Sequence, residues 1–172
     1  MSEEAPRYGK EPTYIVSPPQ SKITVRIKKL HPDAVIPAKA TPQSACYDVY
    51  APCDFTVHHG RSVLPLGLAI ELPAGYAAEI RPRSGYSSKG FAGTLADTEY
   101  RFNADILHGI IDSDYRDEIG AIIISHNLRS FTVKKGQRIA QMLIMKTESA
   151  DFREVEVLSG SERHGGFGHT GI

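Results

Sequence analysis

The sequence predicts an all-β fold of the sandwich, barrel or jelly-roll kind. Short strand-like runs recur along most of the chain, glycine, proline and asparagine breaks separate them, and no stretch carries the periodicity of a long helix. Many short strands without an internal repeat argue for packed or closed antiparallel sheets. At 172 residues the chain is long enough to bury one sizeable core.

Residues 1–21 hold Pro6, Pro12, Pro18 and Pro19 among polar and charged neighbours, with Tyr14-Ile15-Val16 as a small apolar patch, and are expected to form a disordered tail. From Lys22 the pattern becomes alternation. Ile23, Val25 and Ile27 are apolar while Lys22, Thr24, Arg26 and Lys28 are not, which makes the two faces of a half-buried strand. Further strands are expected over residues 47–51, 54–57, 62–72, 76–81, 107–112, 119–125, 131–133, 139–146 and 152–157. Breaks fall at Pro52, His59-Gly60, Pro73-Ala74-Gly75, Asn127 and Lys135-Gly136. Residues 84–89 are the one place for a turn or two of helix. The domain is therefore expected to span 22–158, and the glycine-rich, polar stretch 159–172 to form a flexible arm.

Twenty basic and twenty acidic residues cancel, so the chain has no overall field for non-specific binding to nucleic acid or an anionic membrane. Any anion it handles must be met by a local cluster. No apolar stretch reaches the length of a membrane span, and the N-terminus lacks the layout of a secretory signal, so a cytoplasmic protein is expected, or a nuclear one in a eukaryote. Cys46 and Cys53 sit in one short segment without Cys-x-x-Cys or paired histidines, which favours reduced thiols over a disulfide or zinc site.

Five segments carry chemical groups. In Ala45-Cys46-Tyr47-Asp48-Val49-Tyr50-Ala51 an acid stands between aromatics in a strand-like run, and on its own it reads as an edge-strand residue facing solvent. Arg81-Pro82-Arg83-Ser84-Gly85-Tyr86-Ser87 follows a strand with cations, hydroxyls and a glycine. Arginine forks and freed backbone N–H groups suit phosphate oxygens, though an ordinary polar turn has the same composition. In Gly109-Ile110-Ile111-Asp112-Ser113-Asp114-Tyr115 an apolar run delivers two carboxylates and a tyrosine. The segment reads equally as a surface turn with acids paired to Arg116, or as a strand end where Asp112 is a general base and Tyr115 a flat platform. Lys135 to Met142 leads from a turn into a strand with a cation and the amide of Gln141. Finally, Arg163-His164-Gly165-Gly166-Phe167-Gly168-His169-Thr170-Gly171 cannot build a core strand and suits a segment that is disordered or orders over a ligand.

Taken in order, the five segments resemble the five motifs of the trimeric dUTPase family (deoxyuridine triphosphate nucleotidohydrolases), over most of residues 23–172. The most specific pieces are Ile111-Asp112-Ser113-Asp114-Tyr115-Arg116 and Gly165-Gly166-Phe167-Gly168-His169-Thr170-Gly171. The resemblance implies a jelly-roll, or β-clip, subunit in a homotrimer with active sites at subunit interfaces, hydrolysing dUTP to dUMP and pyrophosphate. By similarity, Asp112 activates the water that attacks the α-phosphorus. Tyr115 packs on the deoxyribose and excludes a 2′-hydroxyl. Asp48 lies near the catalytic centre and a hydrated Mg2+, which the triphosphate and waters hold in place of direct protein ligands.

The same resemblance makes Arg83, Ser84 and Gly85 the phosphate-binding turn and Gln141 a phosphate-reaching amide. Gly109 and Ile111 count among the substrate-binding positions. Arg163, Phe167, Gly168, His169 and Thr170 match the arm that closes over a neighbouring site, with Phe167 on the uracil. This chain departs from the family in being longer between Lys89 and Gly109, in Tyr86 where an aliphatic residue is common, in Asp117 where glycine is usual, and in an Arg163 one residue closer to the glycine pair. The related dCTP deaminases share the fold, and a regulatory or binding role on the same scaffold is the other alternative.

Overall fold

The structure, a computed structural model, describes residues 22–160, and within them it forms thirteen β-strands and one short helix. The expected tail 1–21 and the arm residues Arg163, Phe167, Gly168, His169 and Thr170 lie outside the described residues. The alternation after Lys22 yields β1 (Arg26–Lys29), paired with β5 (Leu68–Glu71). A four-stranded sheet has the order β10 (Gly109–Ile111), β6 (Tyr76–Arg81), β13 (Arg138–Lys146), β2 (Tyr47–Tyr50). Another runs β3 (Phe55–Val57), β12 (Phe131–Val133), β7 (Phe91–Leu95), β8 (Thr98–Phe102). Between β4 (Gly60–Pro65) and β9 (Ala104–Leu107) lies β11 (Gly120–Ser125). All these pairs are antiparallel.

Period-two alternation sets the core. Val49, Ile80, Ala140 and Met142 from one sheet meet Leu64, Ala121, Ile123, Phe91 and Phe131 from the others in a single buried cluster. Each such large side chain contributes about 1.5–3 kcal/mol on leaving water.

Three expected elements differ, the first being 107–112, where Leu107 ends β9, His108 belongs to neither strand, and β10 begins in another sheet at Gly109. Residues 62–72 make two strands, because Pro65 ends β4 and Gly67 takes a φ of +67° with room for no side chain: a Cβ there would lie 2.6 Å from the His31 Cβ. The bend sends β5 to a different sheet from β4. Residues 152–157 form no strand. A strand needs partners for its N–H and C=O groups, and none of the described strands pairs with this segment, whose Phe152 is 97% exposed and Leu158, just beyond it, 82%.

The extra length at 91–108 reaches the core through Phe91, Phe102, Ala104 and Ile106, while residues 98–101 stay exposed. β7 and β8 form a hairpin closed by Ala96 and Asp97, both at positive φ, the turn whose twist matches paired strands. Phe102 stacks on Phe131 at 4.1 Å between centroids with the planes 8° apart, and Phe91 lies 5.8 Å from the same ring. Lys134 Nζ reaches Asp97 at 3.4 Å and Asp54 at 3.2 Å, which ties the hairpin tip to the turn before β13.

Candidate functional site

On the face of the β10-β6-β13-β2 sheet turned away from the core, Asp48, Gln141 and Arg81 stand side by side, since Gln141 is in register with both Asp48 and Arg81. Pro82 then breaks the ladder and the chain enters α1 (Ser84–Lys89), with Arg83 as its N-cap in extended conformation. The helix start has neither a side-chain cap nor an acidic residue in its first turn, so its leading N–H groups are left for an external acceptor. Gln141 Nε2 donates to Pro82 O at 2.9 Å and steadies this entry.

Asp48, its side chain only 14% exposed, faces Arg83 Nε at 3.7 Å on one oxygen and accepts from Arg138 Nη1 at 3.1 Å on the other. The hydrogen bond to Asp48, then its charge, raises the Arg138 guanidinium above its ordinary pKa. A pocket of roughly 350 Å³ opens beside it, lined by Ala40, Ser44, Ala45, Cys46, Asp48 and Gln141. This end of the sheet, with two guanidiniums, an amide and free backbone donors, is equipped to receive phosphate oxygens.

Arg138 was read from the sequence only as the cation of its segment. On a regular strand residues 138 and 141 would face opposite ways. A register shift between Arg138 and Ala140 turns Arg138 back toward Asp48. Sequence reading also missed Glu79, a buried carboxylate on β6 whose oxygens take Arg81 Nε and His108 Nδ1, each at 2.6 Å. The His108 hydrogen bond, then that of Arg81, lowers the Glu79 pKa. His108 is the single residue between β9 and β10, where the chain crosses from one sheet to another, and its ring is thereby pinned to β6.

Asp112 and Tyr115 lie at the other end of β6. β10 runs antiparallel to it with Ile111 opposite Ala78, so the residue after Ile111 falls near Ala77, six positions before Arg83. At about 3.3 Å per strand residue the acid and the arginine are separated by about 20 Å. Asp112 is exposed in a turn closed by the Tyr115 N–H on Asp112 O at 3.2 Å. The surface-turn alternative had the acids paired to Arg116. Arg116 Nη1 instead donates to the carbonyls of Ser113 and Tyr115, which leaves the Asp112 carboxylate without an ion-pair partner among the described residues. Tyr115 is 40% exposed and its hydroxyl donates to Glu118 O at 3.0 Å, which anchors the side chain by its polar end. Gly109 and Ile111 belong to β10 itself, Ile111 on the core side.

The dUTPase family pattern matches residues 33–171 of this chain. The chain belongs to the dUTPase family. Among its relatives, a deoxyuridine 5′-triphosphate nucleotidohydrolase of Syntrophotalea carbinolica is 41% identical over 154 residues, covering 87% of this chain and 98% of that protein. One of Arabidopsis thaliana is 38% identical over 149 residues, covering 86% and 82%. Among solved structures, the dUTPase of Staphylococcus bacteriophage 80alpha with dUPNHPP superimposes with a TM-score of 0.73 at 25% identity, over 88% of this chain and 100% of that one. A dUTPase from phage phi11 of S. aureus, described with a structural Mg(II) ion, has a TM-score of 0.65 at 20% identity. These likenesses establish the jelly-roll class for the antiparallel sheets above. Among the described residues no group of three or more His, Cys, Asp or Glu side chains is placed to hold a metal ion. No described helix is long and apolar enough to cross a membrane.

Proposed function

We propose that the protein hydrolyses dUTP to dUMP and pyrophosphate in a homotrimer whose active sites form between subunits. The observation that carries this is the division of the site: within one chain the cationic cluster at Arg83 and Asp48 and the acid Asp112 stand at opposite ends of β6. A triphosphate spans far less than that gap, which supports an acid and a phosphate cradle supplied to one nucleotide by different copies. The bare apolar groups fit the same reading. Ile110 on the outer face of its sheet and Phe152, Val157 and Leu158 beyond β13 are large, exposed, and suited to burial against another copy.

In this mechanism Arg83, with the backbone donors of Ser84 and Gly85, holds phosphate oxygens, and the second N–H of Gln141 is available to them. Asp112 accepts the proton of a water aimed at the α-phosphorus. The new P–O bond forms as the bond to the bridging oxygen breaks, and pyrophosphate leaves with that electron pair. Tyr115 packs on the deoxyribose. Asp48 already engages two guanidiniums, which fits a carboxylate that orders the cradle, and water around a Mg2+ ion, better than one that ligates metal directly. When bound, Mg2+ neutralises charge on the triphosphate. Arg163, Phe167, Gly168, His169 and Thr170 are assigned to an arm that closes over the nucleotide, with the domain between it and tail 1–21. Two free thiols, Cys46 and Cys53, suit a reducing compartment, and we place the enzyme in the cytoplasm.

The test is a panel of dUTP, dCTP, dTTP and UTP with Mg2+, followed for pyrophosphate and ammonia. Pyrophosphate release from dUTP is expected, and its abolition in Asp112→Asn with the oligomer intact. Ammonia from dCTP, or near-normal turnover in that variant, would overturn the reading.

A further inference from the structure

Tyr86 departs from the family pattern, and the structure gives it neighbours that an aliphatic residue could not use. It is buried inside α1, with its ring 4.6 Å from that of Phe91. The Arg83 guanidinium carbon lies over the Tyr86 ring, 5.3 Å from its centroid and within the range of a cation–π contact. The Tyr86 hydroxyl donates to Arg138 O at 2.7 Å and accepts from Gln137 Nε2 at 3.1 Å. Arg138 O also receives Arg83 Nη1 at 3.4 Å, and Gln137 Nε2 also donates to Ala92 O on β7 at 2.7 Å. A continuous set of contacts therefore runs from β7, through Gln137 and the Tyr86 hydroxyl, to the start of β13, and the Tyr86 ring supports Arg83 from beneath.

We propose that Tyr86 is a positioning residue for phosphate binding, holding the Arg83 guanidinium in place over its ring while its hydroxyl locks the turn to β13 and to the hairpin strand β7. An arginine on a free stem loses rotamer freedom whenever it grips an anion. One already held between the Tyr86 ring, Asp48 and Arg138 O loses less, and binds tighter for the same contacts. This inference rests on the assignment of Arg83 to the phosphates under the proposed function.

Titration calorimetry of the full-length protein with inorganic pyrophosphate, and separately with deoxyuridine, tests it. Tyr86→Leu, which loses the ring face and the hydroxyl, is expected to weaken pyrophosphate binding by about tenfold, and Tyr86→Phe, which keeps the ring, by about threefold. Deoxyuridine binding should be unchanged in both, and KM for dUTP should rise more than kcat falls. A pyrophosphate affinity within experimental error of wild type in Tyr86→Phe overturns the inference, and that variant decides the matter if Tyr86→Leu does not fold. Equal weakening of both ligands also overturns it, since that marks a generally loosened fold. Calorimetry needs no turnover, so a wild-type protein that binds pyrophosphate but leaves dUTP intact would sink the proposed function and leave this inference standing.

Discussion

If one site takes its acid from one copy and its phosphate cradle from another, two inactive variants should rescue each other. On the proposed mechanism, Arg83→Ala removes a charged donor to phosphate, worth about 1.5–3 kcal/mol, or roughly a tenfold to hundredfold loss in kcat/KM. On the same mechanism Asp112→Asn removes the general base, worth about a hundredfold or more. Each variant by itself therefore keeps about a tenth of the wild-type kcat/KM or less. Co-expressed at equal levels, the subunits assort at random. A site is intact when its acid comes from an Arg83→Ala subunit and its arginine from an Asp112→Asn subunit, each with even odds, so about one quarter of the sites recover. The assay is pyrophosphate release from dUTP by oligomers purified through a different tag on each variant, compared with the two variants mixed after separate assembly. Activity near a quarter of wild type stands clear of either background. Balanced mixed oligomers that stay silent would refute the reasoning, because both groups would then serve from the same chain despite the distance of about 20 Å inferred from strand register.

Three further outcomes follow from particular contacts. Gly93→Ala drives a Cβ into Phe131 Cδ2, a ring atom locked in the Phe102 stack, so the variant should lose about 1–3 kcal/mol; an unchanged denaturation midpoint would show that the hairpin gives way freely. The Glu79 carboxylate is held below its ordinary pKa by His108 and Arg81, so its contribution to stability is complete above the usual glutamate range and disappears as pH falls through the lowered value. The melting-temperature gap between wild type and Glu79→Gln should be widest above the ordinary glutamate range and narrow as pH falls below it, and a gap independent of pH would contradict the pairing. Deleting Gly165 onward should cut dUTP turnover sharply with the circular dichroism spectrum unchanged, and an unaltered rate would remove the closing role assigned to the arm.

Local pattern was enough for much of this molecule. β6 at 76–81 and β12 at 131–133 were read with their boundaries because a run of apolar or β-branched residues ends at a turn signal in each case. The split at Gly67 and the bare 152–157 segment were not read so, since one depends on a close approach of His31 and the other on a partner strand that this part of the chain does not find among the described residues. The hairpin at 91–102 was legible as extra length but not as core, because its Phe91 and Phe102 matter only through Phe131, well downstream.

By itself, then, the sequence determined the all-β class, the family, and the residue types at Asp48, Arg83, Asp112, Tyr115 and Gln141, all of which are written into contiguous segments. Only the tertiary structure decided that Arg138 turns back to Asp48 through a bulge, that Tyr86 lies beneath Arg83, that His108 and Arg81 share a buried Glu79, and that Asp112 stands far from the cradle in its own chain. Each of these depends on the register between strands distant in sequence, and a shift of one residue would turn every side chain to the other face.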